Sequence, residues 1–316
     1  MKYTELAGQK VSNMSLGTVQ LGLNYGIANR YGKPDKQKSY SLLNEALKNG
    51  ITSLDTARGY GDSEQVIGGF FKQSDLKGKI PFITTKCFTT VPAGSPDAVV
   101  EKEIIDSVET SLTNLGLNKV NCILLHRPDD MIKHGSIVPK TLERLIKRGY
   151  TDITGASIYQ PEEVETMLQN DLYGAIQIPM SLFDQKLLHG GYLKRLKERG
   201  IGVFVRSVFL QGLFFLNPDQ IDNPDLKVHA APHLKTLRKL AEKADMSLAQ
   251  FAISFIRDLP GVTSLVLGAE TPEQVKENIA LIDGPVIDDE LRNVAYHSFS
   301  DVNLKAIMSV LSGPKK

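Results

Sequence analysis

Ile51-Thr-Ser-Leu-Asp55-Thr-Ala-Arg-Gly-Tyr60-Gly-Asp-Ser-Glu-Gln-Val-Ile-Gly68 is the stretch from which the rest of the chain is read. Its apolar run follows Asn49-Gly50 and ends in a carboxylate, so it reads as a buried strand leaving the C-cap of a helix. The turn-rich segment from Arg58 to Glu64 comes next, with Asp62 or Ser63 placed to cap a helix through Val66 and Ile67. Asp55 then ends a strand, and Tyr60 lies on the strand-to-helix loop. A carboxylate and a phenol so placed form a candidate acid/base pair, because loops on a rigid scaffold tend to carry catalytic groups. Read in isolation, the same residues also fit a capping Asp and a surface Tyr.

On either side the pattern repeats. Short apolar runs at 15–19, 51–55, 82–86, 120–126, 153–157, 175–178, 203–207 and 264–268 alternate with helical periodicity. The helical segments are 38–48, 63–72, 96–115, 138–148, 161–169, 192–199, 233–244 and 272–282. Eight strand-then-helix units with no break in composition predict a single α/β domain over 1–316, a (β/α)8 TIM barrel. An open doubly wound sheet is the competitor, but no Gly-x-Gly-x-x-Gly follows the first strand. Residues 1–17 contain two alternating segments around Ala-Gly-Gln-Lys and predict a β-hairpin cap. Residues 210–231, rich in Pro, Asp and Asn, read as a lid loop over a ligand or as a disordered insertion. The segment 287–316 has helical character, with Lys315 and Lys316 as solvated end residues.

Composition narrows the partners. With 37 Lys+Arg against 36 Asp+Glu there is no electrostatic footprint for nucleic acid or an anionic membrane. The start lacks an apolar stretch of signal-peptide length and no segment approaches bilayer-spanning length, so a cytoplasmic protein is expected, monomeric or a weak homo-oligomer. Cys87 and Cys122 fit reduced thiols. The six His are scattered, so no metal site is expected.

On a barrel, the C-terminal strand ends converge on one mouth. Those ends supply Thr18, Asp55, Lys86, His126, Ser157, Gln177, Arg206 and Gly268, a strongly polar ring for residues that terminate apolar runs. A Lys at the end of a buried strand must be paired or lose its charge, and Asp55 is its natural partner. An ammonium beside Tyr60 is expected to lower the phenol's pKa toward working pH, making Tyr60 a usable general acid. His126, one strand further round, can hydrogen-bond the same substrate oxygen.

The motifs Leu54-Asp-Thr-Ala-Arg-Gly-Tyr60-Gly-Asp-Ser-Glu64, Ile83-Thr-Thr-Lys86 and Leu124-Leu-His126-Arg-Pro128 resemble the catalytic motifs of the aldo-keto reductase superfamily, and the likeness extends over essentially the whole chain. The resemblance implies the tetrad Asp55, Tyr60, Lys86 and His126, and reversible hydride transfer between a nicotinamide cofactor and a carbonyl, without metal. It implies cofactor contacts at Gly17 and Thr18 and a carboxamide clamp of Ser157 and Gln177, although Ile158 stands where the family commonly has Asn. The segment Arg206-Ser207-Val-Phe209-Leu-Gln211-Gly212 resembles one that often opens with a Tyr stacked on the nicotinamide; Arg206 replaces that aromatic. Gly268, Glu270, Gln274, Glu277 and Asn278 match the adenosine-binding segment. The family prior is NADP(H). Glu270 stands where a cation often binds the 2′-phosphate, which leaves NAD(H) open, and Lys276 is a candidate compensating cation.

The polar loop 24–36, with Arg58, Arg127 and Asp129, fits a small polar aldehyde, keto sugar or sugar derivative as substrate. Two other functions fit the same residues. One is a Schiff-base aldolase using Lys86, disfavoured by the Asp55 pairing; the other is a nucleotide-binding, redox-sensing regulatory subunit.

Overall fold

The computed structural model describes residues 1–311 apart from 28, 30, 75, 77 and 78, so Lys315 and Lys316 lie outside the described residues. It begins with an antiparallel hairpin of β1 (Tyr3–Leu6) and β2 (Gln9–Ser12). Ala7 and Gly8, both in the left-handed region, make the two-residue turn between them.

The barrel strands follow in chain order: β3 (Met14–Gly17), β4 (Ser53–Asp55), β5 (Phe82–Cys87), β6 (Val120–Leu125), β7 (Thr151–Ser157), β8 (Tyr173–Pro179), β9 (Gly202–Arg206) and β10 (Ser264–Gly268). All neighbours pair in parallel and β10 closes on β3. The expected (β/α)8 barrel is therefore observed, with boundaries shifted by one or two residues at most strands. Two shifts matter. The hairpin ends at Ser12 rather than at residue 17, because 14–17 is already the first barrel strand, and that strand stops at Gly17 before a short helix, α1 (Val19–Gly22).

The outer helices are α2 (Lys36–Lys48), α3 (Ser63–Gln73), α4 (Asp97–Leu115), α5 (Asp129–His134), α6 (Ile137–Lys147), α7 (Pro161–Leu168), α8 (Lys186–His189) and α9 (Tyr192–Glu198). They continue with α10 (Pro224–His229), α11 (Ala231–Lys243), α12 (Leu248–Arg257), α13 (Pro272–Asp283), α14 (Asp289–Ser298) and α15 (Leu304–Leu311). Local chemistry starts several of them. Asp35 accepts from Lys38 N at α2, Gln160 and Glu163 form a capping box at α7 beside Pro161, and Thr271 accepts from Gln274 N at α13.

α12 has no counterpart among the helices expected from periodicity. Its polar stripe, Gln250, Ser254 and Arg257, is buried and bonded to residues 281–287 rather than facing water, and Ser247 caps it as a start signal should. The lid loop expected at 210–231 is largely ordered as 3-10 turns at Leu210–Phe215 and Pro218–Gln220 and as α10.

Apolar residues fill two regions. The larger lies between strands and helices. The smaller fills the barrel floor, where Val11 of the hairpin packs with Phe82, Cys122, Leu124 and Phe204, and the two Phe rings stack at 6.2 Å. The hairpin thus plugs the N-terminal end and leaves the opposite end as the open mouth. Among the described residues, no helix is long and apolar enough to cross a membrane.

Candidate active site

Strand register sets the mouth. Gly17 is opposite Asp55 and Gly268, Lys86 lies one residue before the end of β5, and His126 is the first residue beyond β6. Ser157 ends β7 opposite Gln177, and Arg206 ends β9.

Lys86 and Asp55 are both buried. Lys86 Nζ lies 2.8 and 2.9 Å from the two Asp55 carboxylate oxygens, donates to Thr56 O at 3.0 Å and reaches Tyr60 Oη at 3.2 Å. Burial pulls the Lys86 pKa down, but Asp55 and Tyr60 together hold it above the ordinary lysine value, so the ammonium persists. Gln177 Nε2 donates to Asp55 Oδ1 at 2.7 Å from the far side of the barrel.

The Tyr60 phenol does not follow the expectation of a lowered pKa. Burial pushes it up, and this outweighs the pull of Lys86 and Arg206; Asp55 adds to the rise. Tyr60 is thus a protonated donor across neutral pH. The His126 ring stands edge-on to Tyr60, with centroids 5.7 Å apart at 88°. Burial, then the fields of Lys86, Arg206 and Arg127, push its pKa down to about 3, so the imidazole is neutral.

A pair of glycines places the Tyr60 loop. A Cβ on Gly22 would lie 1.8 Å from Tyr60 O, and one on Gly61, whose φ is +58°, would lie 2.4 Å from Gly22 O. Only bare backbones let α1 and this loop meet so closely.

A cleft of about 770 Å³ opens above the tetrad. Of the residues expected around a cofactor, Gly17, Thr18, Ser157, Arg206, Ser207, Phe209, Gln211, Gly212, Gly268, Glu270, Gln274, Glu277 and Asn278 all line it. Asp55, Tyr60 and His126 line it too. Gln177 and Lys86 lie behind them. The Thr18 hydroxyl is occupied, donating to Asp55 O and accepting from Ser63 Oγ. Ser207, Leu210 and Gln211 hold positive φ without being glycine, a cost of roughly 1 kcal/mol each that keeps this segment tightly folded along the cleft.

Sequence reasoning missed Gln20 and Tyr159, which also line the cleft. Tyr159 carries the Arg206 guanidinium 4.4 Å above its ring, while Arg206 also donates to Ile158 O at 3.1 Å. A phenol two residues beyond Ser157 was the available signal for it. The loop 24–36 enters as expected through Tyr25, Gly26, Ile27 and Asn29, and Ile27 N donates to Gln211 O at 3.0 Å across the cleft. Within 210–231, residues beyond Leu216 do not line the cleft. The described part of the C-terminal segment, 287–311, does not line it either; α15 packs on α10 and α14 on α11.

The cleft fits a dinucleotide. It has the volume of a ligand site, is flanked by four backbones without side chains at Gly17, Gly26, Gly212 and Gly268, and ends at the start of α13, whose N-terminus favours anionic groups. Gln20 Oε1, on the cleft wall beside Gly268, is buried without a partner and offers an acceptor to a ligand with N–H groups, and Gln177 Oε1 is likewise unpartnered behind the cleft-lining residues. Residues 13–297 match the model of the aldo/keto reductase family. The chain belongs to that family. It is accordingly an NAD(P)H-dependent oxidoreductase acting on carbonyl compounds. Among relatives, the reductase is 25% identical to "Aldo-keto reductase YhdN" of Bacillus subtilis (strain 168), covering 92% of this chain and 91% of that protein. It is 23% identical to a "Probable voltage-gated potassium channel subunit beta" of Arabidopsis thaliana, covering 93% and 96%. The holo form of aldo-keto reductase AKR11C1 from Bacillus halodurans superposes with a TM-score of 0.74 at 22% identity, covering 94% of this chain and 96% of that one.

Proposed function

We propose that this chain reduces the carbonyl of a small polar aldehyde, keto sugar or sugar derivative, with Tyr60 as proton donor. The observation that carries the reading is the buried contact of Lys86 Nζ with both Asp55 oxygens and with Tyr60 Oη at 3.2 Å. When bound, the nicotinamide supplies the hydride. As negative charge grows on the carbonyl oxygen, Tyr60 Oη–H donates to it, and the neutral His126 imidazole offers a second donor edge beside it. The phenolate left on Tyr60 is stabilised by the Lys86 ammonium, which Asp55 keeps charged and in place. Ser157 and Gln177 are the residues proposed to hold the carboxamide, and Glu277 with Asn278 the adenine end.

Local charge favours NAD(H) over the NADP(H) of the family prior. Glu270 and Glu277 line the adenosine end of the cleft, and Arg206 is the one Lys or Arg among the lining residues described. Lys276 does not compensate: its ammonium lies 3.6 Å from Glu45 on α2. Two carboxylates disfavour a 2′-phosphate and suit ribose hydroxyls.

The aldolase alternative loses ground because a Schiff-base amine must be neutral and Lys86 is held charged. A redox-sensing subunit would share the same site, and the relative named as a channel subunit favours keeping it in view. The test is steady-state cofactor oxidation against hydroxyaldehydes, keto sugars and small aromatic aldehydes. Multiple turnovers with polar carbonyls support the reductase; a single slow turnover with every carbonyl would instead favour the sensor.

A further inference from the structure

Behind His126 lies a second recess of about 460 Å³, distinct from the cofactor cleft but sharing His126 and Tyr159 with it. Gly59 and Phe88 form part of its wall, and Gly59 presses bare backbone against the His126 ring, where a Cβ would sit 3.3 Å from Cε1. Arg127 lines it directly after His126. Its guanidinium carbon lies 4.9 Å from the Phe88 ring centroid, and that ring is in turn 6.3 Å from the His126 ring.

The lining of this recess carries one guanidinium, Arg127, and two carboxylates, Asp129 and Glu163, each held differently. Asp129 on its rim faces Lys133 at 3.5 Å, and Glu163 accepts from the backbone N–H groups of Tyr159 and Gln160 at 2.5 and 2.8 Å. Asp130, buried beneath, accepts from Thr89 N at 3.3 Å. Asp129 thus shares a cation, and Glu163 and Asp130 are turned onto backbone N–H groups that fix their oxygens without neutralising them. Arg127 has no ion pair among the described residues, and neither has Arg206 on the other side of Tyr159. Both guanidiniums are stacked on aromatic rings, which orients their N–H edges in advance and reduces the entropy lost on binding. Their field reaches the reacting centre, since both contribute to keeping His126 neutral.

Resting on the reductase reading, we propose that this recess holds an anionic end of the carbonyl substrate, a carboxylate or a phosphate, and that Arg127 selects for it. A guanidinium meets either anion through paired, charge-assisted hydrogen bonds, while a neutral aldehyde leaves the exposed Arg127 to water and gains no such contact. The anion would sit past His126 from the cofactor, which orients the carbonyl toward Tyr60.

The test uses substrate pairs that differ in one charged group: butyraldehyde with succinic semialdehyde, and glycolaldehyde with glycolaldehyde phosphate. The expected result is a kcat/KM higher by about tenfold or more for the anionic member of at least one pair, an effect of the size of one charge-assisted contact. The two pairs separate carboxylate from phosphate. Arg127→Met should cut the anionic-to-neutral ratio about tenfold, and Arg127→Lys should keep the larger part of it. Calorimetric titration of succinate and of inorganic phosphate reads the recess without turnover: the wild type binds one of them, and Arg127→Met loses that binding. Neutral aldehydes turned over with no anionic advantage, or a ratio unmoved by Arg127→Met, would overturn the anion recess alone. Failure of every carbonyl would overturn the reductase reading, and the absence of succinate or phosphate binding would then overturn the recess as well.

Discussion

Lys86 Nζ stands between the two oxygens of Asp55, at 2.8 and 2.9 Å, with both side chains buried at the C-terminal ends of adjacent barrel strands. A buried pair of this kind contributes little net stability when intact, because desolvation offsets attraction, but removing one member leaves a bare charge in the interior. Lys86→Met is expected to destabilise the fold by about 3–5 kcal/mol, and the double variant with Asp55→Leu to recover part of that loss. Urea unfolding of the two variants measures the difference; equal stability of both would contradict the pairing.

Tyr60→Phe removes the proposed proton donor while keeping the ring packed edge-on against His126. Carbonyl reduction should fall by roughly 10²–10⁴-fold, the span of general acid catalysis, while cofactor Kd stays within about threefold. Retained turnover would defeat the assigned role.

The pH profile follows from the two shifts at the site. Tyr60 lies above its ordinary value and His126 is pushed down to about 3, so neither changes protonation near neutrality. The kcat/KM for reduction should be flat from about pH 5 to about pH 9, since ordinary Tyr titrates near 10. An inflection near pH 6.5 that disappears in His126→Gln would show His126 titrating and contradict its depressed pKa. Stability has the opposite sensitivity. His126 is depressed in the fold, so between its ordinary 6.5 and about 3 the unfolded chain takes up a proton that the folded chain refuses. Its contribution is intact above 6.5 and lost as pH falls through that window, and His126→Gln should flatten the acid slope of a melting-temperature series.

Cofactor selection turns on Glu270. Replacing it by Arg sets a cation where the 2′-phosphate would lie, and the NADPH-to-NADH ratio of kcat/KM is expected to rise by about 10- to 100-fold. A wild type that strongly prefers NADPH would refute the electrostatic reading of Glu270 and Glu277.

Gly22→Ala tests the backbone contact that places Tyr60. The added methyl would need to occupy space 1.8 Å from Tyr60 O and 2.6 Å from Ser63 N, so the Tyr60 loop must move. We expect a loss of about 1–3 kcal/mol in stability and, because angstrom-scale misplacement is costly to catalysis, a fall in kcat of about tenfold or more. Unchanged kinetics would show that the loop adapts freely.

The alternation of apolar runs and helical periodicity was enough to read the barrel, because each strand buried on both faces is a short apolar stretch and each amphipathic helix shows its polar face. The helix that was not read, α12, carries such a stripe at Gln250, Ser254 and Arg257, but the fold buries it against residues 281–287. Asp55, Lys86 and His126 were legible as polar residues ending apolar runs, a pattern with an energetic cost that packing alone does not justify, and Tyr60 as a phenol on the loop just after the first of them. Tertiary structure decided what no linear pattern carries: that burial at Tyr60 outweighs Lys86, that Lys276 turns to Glu45, that Arg206 lies on Tyr159, and that Gly22 meets the Tyr60 loop. Each depends on distances between residues far apart in the chain. Charge interactions, desolvation and steric contact act through such distances, so the sequence named the groups and the fold determined the balance among them.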